Sequence, residues 1–334
     1  MSAYVPPHRR RQQGGDSSGG VQRQQSQTKN PTSRADDDSE KTPLFSQVFH
    51  TIRCINLHHR ADRWKSFLSR KRLALGRDAQ HVHVQRFIAV YGAEHMTEND
   101  ETIVCHEWDA TQNALYDRHI QPPMIKQMSP GEIGCAMSHV KIWEELVNWK
   151  ELVILNHDHV IRDSPLHFLV LEDDATFYTG TKHNQQQSDP SSEQRAPFFQ
   201  AFERLWKILP DDWDMLYFGF SDRGERSMVT PDNSAVLDEE GQNESNLDIW
   251  LFRPTYGFHT HAYAIRASAA ETLLSQLPVV GPLDVWLADN QWFGLKVYCA
   301  VVANEGWKGQ GASLISQRKH DTRSDIHQSG RTGG

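Results

Sequence analysis

The residues whose types and spacing could do chemistry begin with three consecutive carboxylates, Glu172, Asp173 and Asp174. They follow four apolar residues, Phe168-Leu169-Val170-Leu171, and precede Ala175-Thr176-Phe177. An apolar run of that length suits a strand buried on both faces. Acids at the end of such a strand are costly unless a cation sits beside them. In open α/β sheets the carboxyl ends of the strands are where ligands bind. Oxygen-only ligands favour a hard divalent ion, Mn²⁺ or Mg²⁺, which would in turn hold a phosphate group. The competing reading is a solvated acidic turn.

A divalent ion at a strand end, with positive side chains nearby, suits a diphosphate leaving group, because it neutralises the charge that develops as the bond breaks. Glycosyl transfer from a nucleotide-sugar needs that and a base for the acceptor hydroxyl. Asp284 is the candidate base, following Gly281-Pro282 and opening a predicted helix; a helix cap is the alternative. His259-Thr260-His261 is the other cluster. Two histidines two apart on a strand share a face. His261 is the candidate ligand beside the acids, and a surface or core pair is the plainer reading.

These groups need elements to position them. Ser129-Pro130-Gly131-Glu132 predicts a helix start: Ser129 caps, Pro130 suits the first position, and Glu132 completes a capping box. The helix is expected to reach Lys150, with Ile133, Met137, Val140, Trp143 and Val147 as its core stripe. A second stripe, Gly131, Gly134 and Ser138, is small. Helix glycines cost about 1 kcal/mol each against alanine, so a strand or a ligand should approach that face closely. Leu152 to Leu155 is a short strand or the end of the helix.

The remaining pattern predicts strands over Val48–Asn56, His83–Val90, Asp214–Phe220, Ala262–Ile265 and Val297–Val302. Helices are predicted over His59–Leu75, Pro197–Leu209, Ser268–Leu277 and Asp284–Phe293. Asp222 to Asp248 reads as a long acidic loop and Lys182 to Arg195 as a Gln/Ser loop. Strands alternating with helices predict an α/β fold, one mixed sheet flanked by helices in a single domain over 43–315. Residues 1–42, nearly devoid of aliphatics, read as a disordered tail, and 316–334 as a flexible one.

The chain has 334 residues, a net charge of −8 and a 38% apolar share, with its polar excess concentrated in a few segments. No broad basic face is evident, so nucleic acid is not an expected partner. Cys54, Cys105, Cys135 and Cys299 form no CxxC pair and read as reduced. No run is long enough for a membrane span, and the first residues contain no apolar signal region. The expectation is therefore cytoplasmic.

Taken together, these blocks resemble the family 25 glycosyltransferases, the group of lipooligosaccharide and procollagen galactosyltransferases. Ile55-Asn56-Leu57 with Arg60-Ala61-Asp62-Arg63-Trp64 is similar to the family's opening block. Ser129 through His139 is similar to its most characteristic block, and Leu171-Glu172-Asp173-Asp174 to its acidic motif. Asp214 through Gly219, His261 through Ile265, and Pro282-Leu283-Asp284 resemble later blocks. The resemblance implies a GT-A-like, Rossmann-like fold, a UDP-sugar donor, most often UDP-galactose, and Mn²⁺ at the acids. By position it places Glu172 and Asp174 toward metal and donor, with Asp173 between them. Asn56, Arg60 and Arg63 fall by the nucleotide, Ser138 and His139 at the donor pocket, and Asp284 on the acceptor side. The acceptor, glycan or protein, is not specified; the family points to inversion.

Two other readings compete. One is a catalytically inactive nucleotide-sugar-binding protein. The other is a metallophosphoesterase, assembled from Asp117-Arg118-His119, Asn156-His157-Asp158 and Gly257 through His261. That chemistry needs two metals about 4 Å apart and a Gly-Asp-x-x-Asp block, which the sequence lacks.

Overall fold

A computed structural model of the chain describes residues 42–112, 124–155, 166–180, 195–222, 224–229, 248–288, 293–303 and 312–318. The first described element is a short helix, α1 (Leu44–Val48), ahead of β1 (Thr51–Asn56). The expected first strand is thus shorter than predicted, because Val48 closes α1 and the strand starts at Thr51. There follow α2 (Ala61–Leu75), β2 (Gln85–Ile88), β3 (Glu107–Asp109), β4 (Ile125–Gln127) and α3 (Pro130–Leu155). Then come β5 (His167–Glu172), β6 (Ala175–Phe177), α4 (Pro197–Ile208), β7 (Met215–Tyr217), β8 (Ser221–Asp222), β9 (Arg226–Met228) and β10 (Asp248–Pro254). The last described elements are β11 (Gly257–Phe258), β12 (Ala262–Arg266), α5 (Ala267–Leu274), α6 (Leu283–Trp286), β13 (Val297–Ala303), β14 (Ala312–Ser313) and β15 (Ile315–Gln317).

The main sheet runs β2-β1-β5-β12-β7-β13-β10-β9, with β14 also on β13. β1 pairs in parallel with β2 and β5. β12 lies antiparallel between β5 and β7, and β13 is parallel to β7. β10 and β14 each lie antiparallel to β13, so β12, β10 and β14 are reversed among otherwise parallel strands. This is the mixed α/β sheet flanked by helices that the pattern predicts, and it is consistent with a GT-A-like arrangement.

β5 is interior, and its side chains alternate between two layers. Leu169 and Leu171 join the layer beneath α1, α2 and α4, where Phe45, Phe177, Phe198, Phe199 and Phe202 are buried. Phe168 and Val170 join the layer beneath α3 and α5, with Ile133, Met137, Val140 and Trp143. The aromatic layer holds the acidic turn from below. Phe177, at the end of β6, meets Phe198 edge to face at 5.0 Å, and Phe45 meets Phe198 and Phe202 at 4.9 Å. Each such buried ring is worth about 1.5–3 kcal/mol, so the turn departs from a fixed base.

α3 begins as predicted. The Ser129 N–H donates to the Glu132 carboxylate at 2.7 Å, and the Glu132 N–H to Ser129 Oγ at 3.3 Å. Leu152–Leu155 is the end of this helix rather than a strand. The small stripe meets backbone, not a ligand. A Cβ on Gly134 would lie 2.6 Å from the Val90 carbonyl, and one on Gly92 only 1.8 Å from that of Pro130. β10 begins at the last residue of the expected acidic loop and runs on as a strand that the pattern does not announce. Residues 156–165, 181–194 and 230–247 lie outside the described residues, as do 1–41 and 319–334.

Candidate functional site

The acidic triplet closes β5, and the strand's alternation divides it. Glu172 follows the parity of Phe168 and Val170, so its side chain arrives beside α3. The next two residues form the turn into β6 and face α2.

On the α3 side, Glu172 Oε1 accepts from Thr260 Oγ1 at 3.1 Å and lies 3.7 Å from His139 Nε2. Burial pushes the Glu172 carboxyl upward. The closeness of His139, then of His261 and the Thr260 hydroxyl, outweighs that and holds it below its ordinary value. His139 is fully buried, with Nδ1 2.8 Å from the Tyr263 hydroxyl. Asp284 opens α6, and backbone N–H groups of His259 and Val285 serve its carboxylate. Burial first, and the charge of Glu172, raise its pKa, against His259. His259 has φ of +81°, a strained conformation for a non-glycine residue.

On the α2 side, Asp173 serves the structure. Its two oxygens accept from Asn56 Nδ2 and Arg63 Nη2, and its carbonyl accepts from Arg70 Nη2 at 2.6 Å. Asn56 is itself fixed by Arg86 Nε at 2.8 Å. Asp174 is held by Gln317 Nε2, which donates to Oδ2 at 3.0 Å, while the Arg318 N–H donates to its carbonyl at 3.2 Å. Burial, then the charge of Glu172, push the Asp174 carboxyl up to about 7 against Gln317 and Arg63. Asp62, Arg63, Ser66, Arg70, Asp173, Asp174 and Arg318 line a cavity of about 130 Å³.

His261 joins the two sides. Its carbonyl accepts from the Glu172 N–H at 2.9 Å, and its Nε2 lies 3.0 Å from the Ile315 carbonyl. That nitrogen must donate, so Nδ1 carries the lone pair. Burial lowers its pKa and keeps the ring neutral. Only glycine fits opposite: a Cβ on Gly219 would stand 2.2 Å from His261 Nε2.

The predicted residues thus gather at one sheet edge, in different roles. Glu172, Asp174, His139, His261 and Asp284 surround the edge, and Arg63 lines the cavity. Asn56 is 1% exposed and braces Asp173. Arg60 pairs with Asp62 at 3.1 Å. Ser138 is fully buried between its own helix and Val90: it accepts from the Val90 N–H at 2.9 Å and donates to the Gly134 carbonyl at 2.6 Å. It therefore lines no pocket. Sequence reasoning does not single out Arg70, Arg318, Gln317, Thr260 or Cys135 for the site. Arg70 carries a signal, one helical repeat of seven beyond Arg63 on α2.

Cation fit can be tested on buried polar atoms without a hydrogen-bond partner. Among the described residues these include Asp174 Oδ1, His261 Nδ1 and His139 Nε2. The bare oxygen of Asp174 and nitrogen of His261 are of the right kind for a cation, but with Glu172 they do not bring ligand atoms within 4.8 Å of one another. The described set whose ligand atoms come within 4.8 Å of one another is Cys135, His139 and Glu172; Asp174 and His261 stand outside it. Asp117-Arg118-His119 and Asn156-His157-Asp158 lie outside the described residues. Among the described residues no helix is long and apolar enough to cross a membrane.

The family model described as "Glycosyltransferase family 25 (LPS biosynthesis protein)" matches residues 49–287. An Anopheles gambiae protein named "Glycosyltransferase 25 family member" is 27% identical over 250 residues, 71% of this chain and 31% of its own length. An Aedes aegypti protein of the same name is 26% identical over 176 residues, 51% of this chain and 21% of its own length. A human protein named "Inactive glycosyltransferase 25 family member 3" is 26% identical over 167 residues, 48% of this chain and 20% of its own length. The chain spans about a third or less of the length of these relatives.

Proposed function

We propose, for a chain that belongs to glycosyltransferase family 25, that it moves a hexose, galactose in the first instance, from a UDP-sugar to an acceptor hydroxyl with inversion. The observation that carries this reading is the edge itself. A buried strand delivers Glu172 and Asp174 beside buried, unpartnered acceptor atoms, next to an arginine-lined cavity.

Glu172, Asp174 and His261 would have to draw together from their present spacing to hold Mn²⁺ or Mg²⁺; such an ion would neutralise charge developing on the departing diphosphate. Arg63, Arg70 and Arg318 supply fixed positive charge at the cavity where phosphate oxygens would lie. Asp173 keeps Arg63 and Arg70 in place through its carboxylate and carbonyl. Asp284 takes the proton of the acceptor hydroxyl as that oxygen attacks the anomeric carbon and the nucleotide leaves. Its raised pKa makes it a stronger base than an ordinary carboxylate.

The test is UDP release from a panel of UDP-sugars with Mn²⁺, followed by product analysis. Metal-dependent release with one donor is expected, and Asp284→Asn should reduce transfer while leaving donor binding intact. Binding of a donor with no release from any of them would replace this reading with the inactive one. The name of the human relative makes that second reading worth testing.

A further inference from the structure

The α3 wall carries a ligand set that the proposed donor site uses only in part. Cys135 and His139 are four residues apart on α3, so their side chains share a face. Glu172 completes the group from the end of β5. One ligand atom from each lies within 4.8 Å of the others. His139 is the independent indication of a ligand. It is 0% exposed, its Nε2 has no hydrogen-bond partner among the described residues, and that atom points at Glu172 Oε1 from 3.7 Å.

The surroundings suit coordination. A ligating histidine ordinarily gives its second N–H to an oxygen acceptor, which fixes the tautomer. The Tyr263 hydroxyl lies 2.8 Å from His139 Nδ1 and also receives Trp143 Nε1–H at 3.0 Å. Its two lone pairs can accept both, which leaves Nε2 facing Glu172 as the position where a proton or a metal ion would sit. Cys135 is partly exposed, and the Glu172 side chain is 23% exposed, so the group is not sealed from solvent.

We propose that Cys135, His139 and Glu172 form a binding site for a borderline-soft divalent cation of the zinc class. Sulfur, imidazole nitrogen and carboxylate oxygen make a zinc or cobalt set, whereas Mn²⁺ and Mg²⁺ prefer oxygen throughout. Atoms held about 2.0–2.3 Å from a tetrahedral zinc ion lie roughly 3.3–3.8 Å apart. A nitrogen–oxygen pair falls at the low end, about 3.3–3.5 Å, so the His139–Glu172 separation of 3.7 Å needs to close by only a few tenths of an ångström. Three protein ligands leave a fourth position open to water or another small ligand. Glu172 belongs both to this set and to the acids proposed for the donor's metal. Zinc therefore competes with the transferase metal for one carboxylate; that consequence, unlike the site, rests on the transferase reading.

The test is titration of Co²⁺ into metal-free, full-length protein, read by absorption. One equivalent should bind with a thiolate-to-cobalt charge-transfer band in the near ultraviolet, and Zn²⁺, not Mn²⁺, should displace it. Cys135→Ser should lose the band and weaken binding at least about tenfold, while Cys105→Ser keeps both. Tyr263→Phe should retain the band with affinity reduced about tenfold. Circular dichroism checks each variant, and Cys135→Ala serves if the serine variant unfolds. Cobalt bound without the band, a band that survives loss of Cys135, or no binding by the folded protein overturns the site. UDP release in the same samples should be inhibited by zinc in the parent protein and resist zinc in Cys135→Ser. Equal inhibition of both removes the competition. A parent protein that releases no UDP overturns the transferase reading and leaves the cobalt result standing.

Discussion

Glu172 and Asp174 are two residues apart and carry the same functional group, yet the protein treats them oppositely. Glu172 turns toward α3, where imidazoles and a hydroxyl hold it ionised although burial opposes this. Asp174 turns toward α2, where burial and the charge of Glu172 raise it to about 7 despite three arginines around its cavity. Asp173 engages two of the three: Arg63 is bonded to its carboxylate and stands 4.0 Å from Asp174, and Arg70 donates to its carbonyl. One acid is thus a prepared ligand, one a brace, and one a carboxyl waiting for positive charge. A run of like residues can hold three roles when a strand's alternation ends inside it.

The contrast breaks most sharply at Glu172. Glu172→Gln keeps the shape and removes the charge; Mn²⁺-dependent UDP release should fall about a thousandfold, with the melting midpoint nearly unchanged. Asp173→Ala should show the reverse emphasis. It strands the half-buried Arg63 and the buried Asn56, and should cost about 3 kcal/mol in a urea titration.

The pH dependence sharpens the contrast further. A carboxyl raised in the folded state binds a proton that the unfolded chain has already lost, so stability falls as pH rises between the two pKa values. For Asp174 that window runs from the ordinary 3.8 to about 7. The metal-free protein should melt higher at pH 5.5 than at pH 7.5. Asp173 and Asp284 slope the same way and Glu172 the opposite way. Asp174→Asn should therefore flatten the slope without abolishing it, and added Mn²⁺ should flatten it in the parent. The smallest effect is expected at the rim: Asp62, an exposed partner of Arg60, should be replaceable by asparagine with no measurable shift in melting.

Much of this site is legible in the residues themselves. The apolar run before the acids announces an interior strand, and Ser129 through Glu132 announces the helix that carries His139, because both signals are local. The contacts that escape depend on pairing across long separations. Ser316 and Gln317 read as the start of a polar tail; they join Ile315 in β15 because Ala175–Phe177 is there to receive them. Gln317 and Arg318 reach Asp174 by that pairing, which no local pattern encodes. Tyr263 meets His139 across 124 positions for the same reason. Ser138 misleads from the opposite cause. A small polar residue near a motif suggests a pocket, but its hydroxyl is needed by the N–H of Val90.

Gly92 and Gly134 touch through the space each leaves by having no side chain. A methyl group on either would strike the other's backbone, so neither position can change ahead of its neighbour, and changing both only doubles the collision. A saturation library at these two sites should return glycine pairs alone among folded clones. The entrance of α3 is thereby held at one distance from β2, and His139, a turn and a half onward, inherits that fixed footing whatever drift the surrounding surface undergoes.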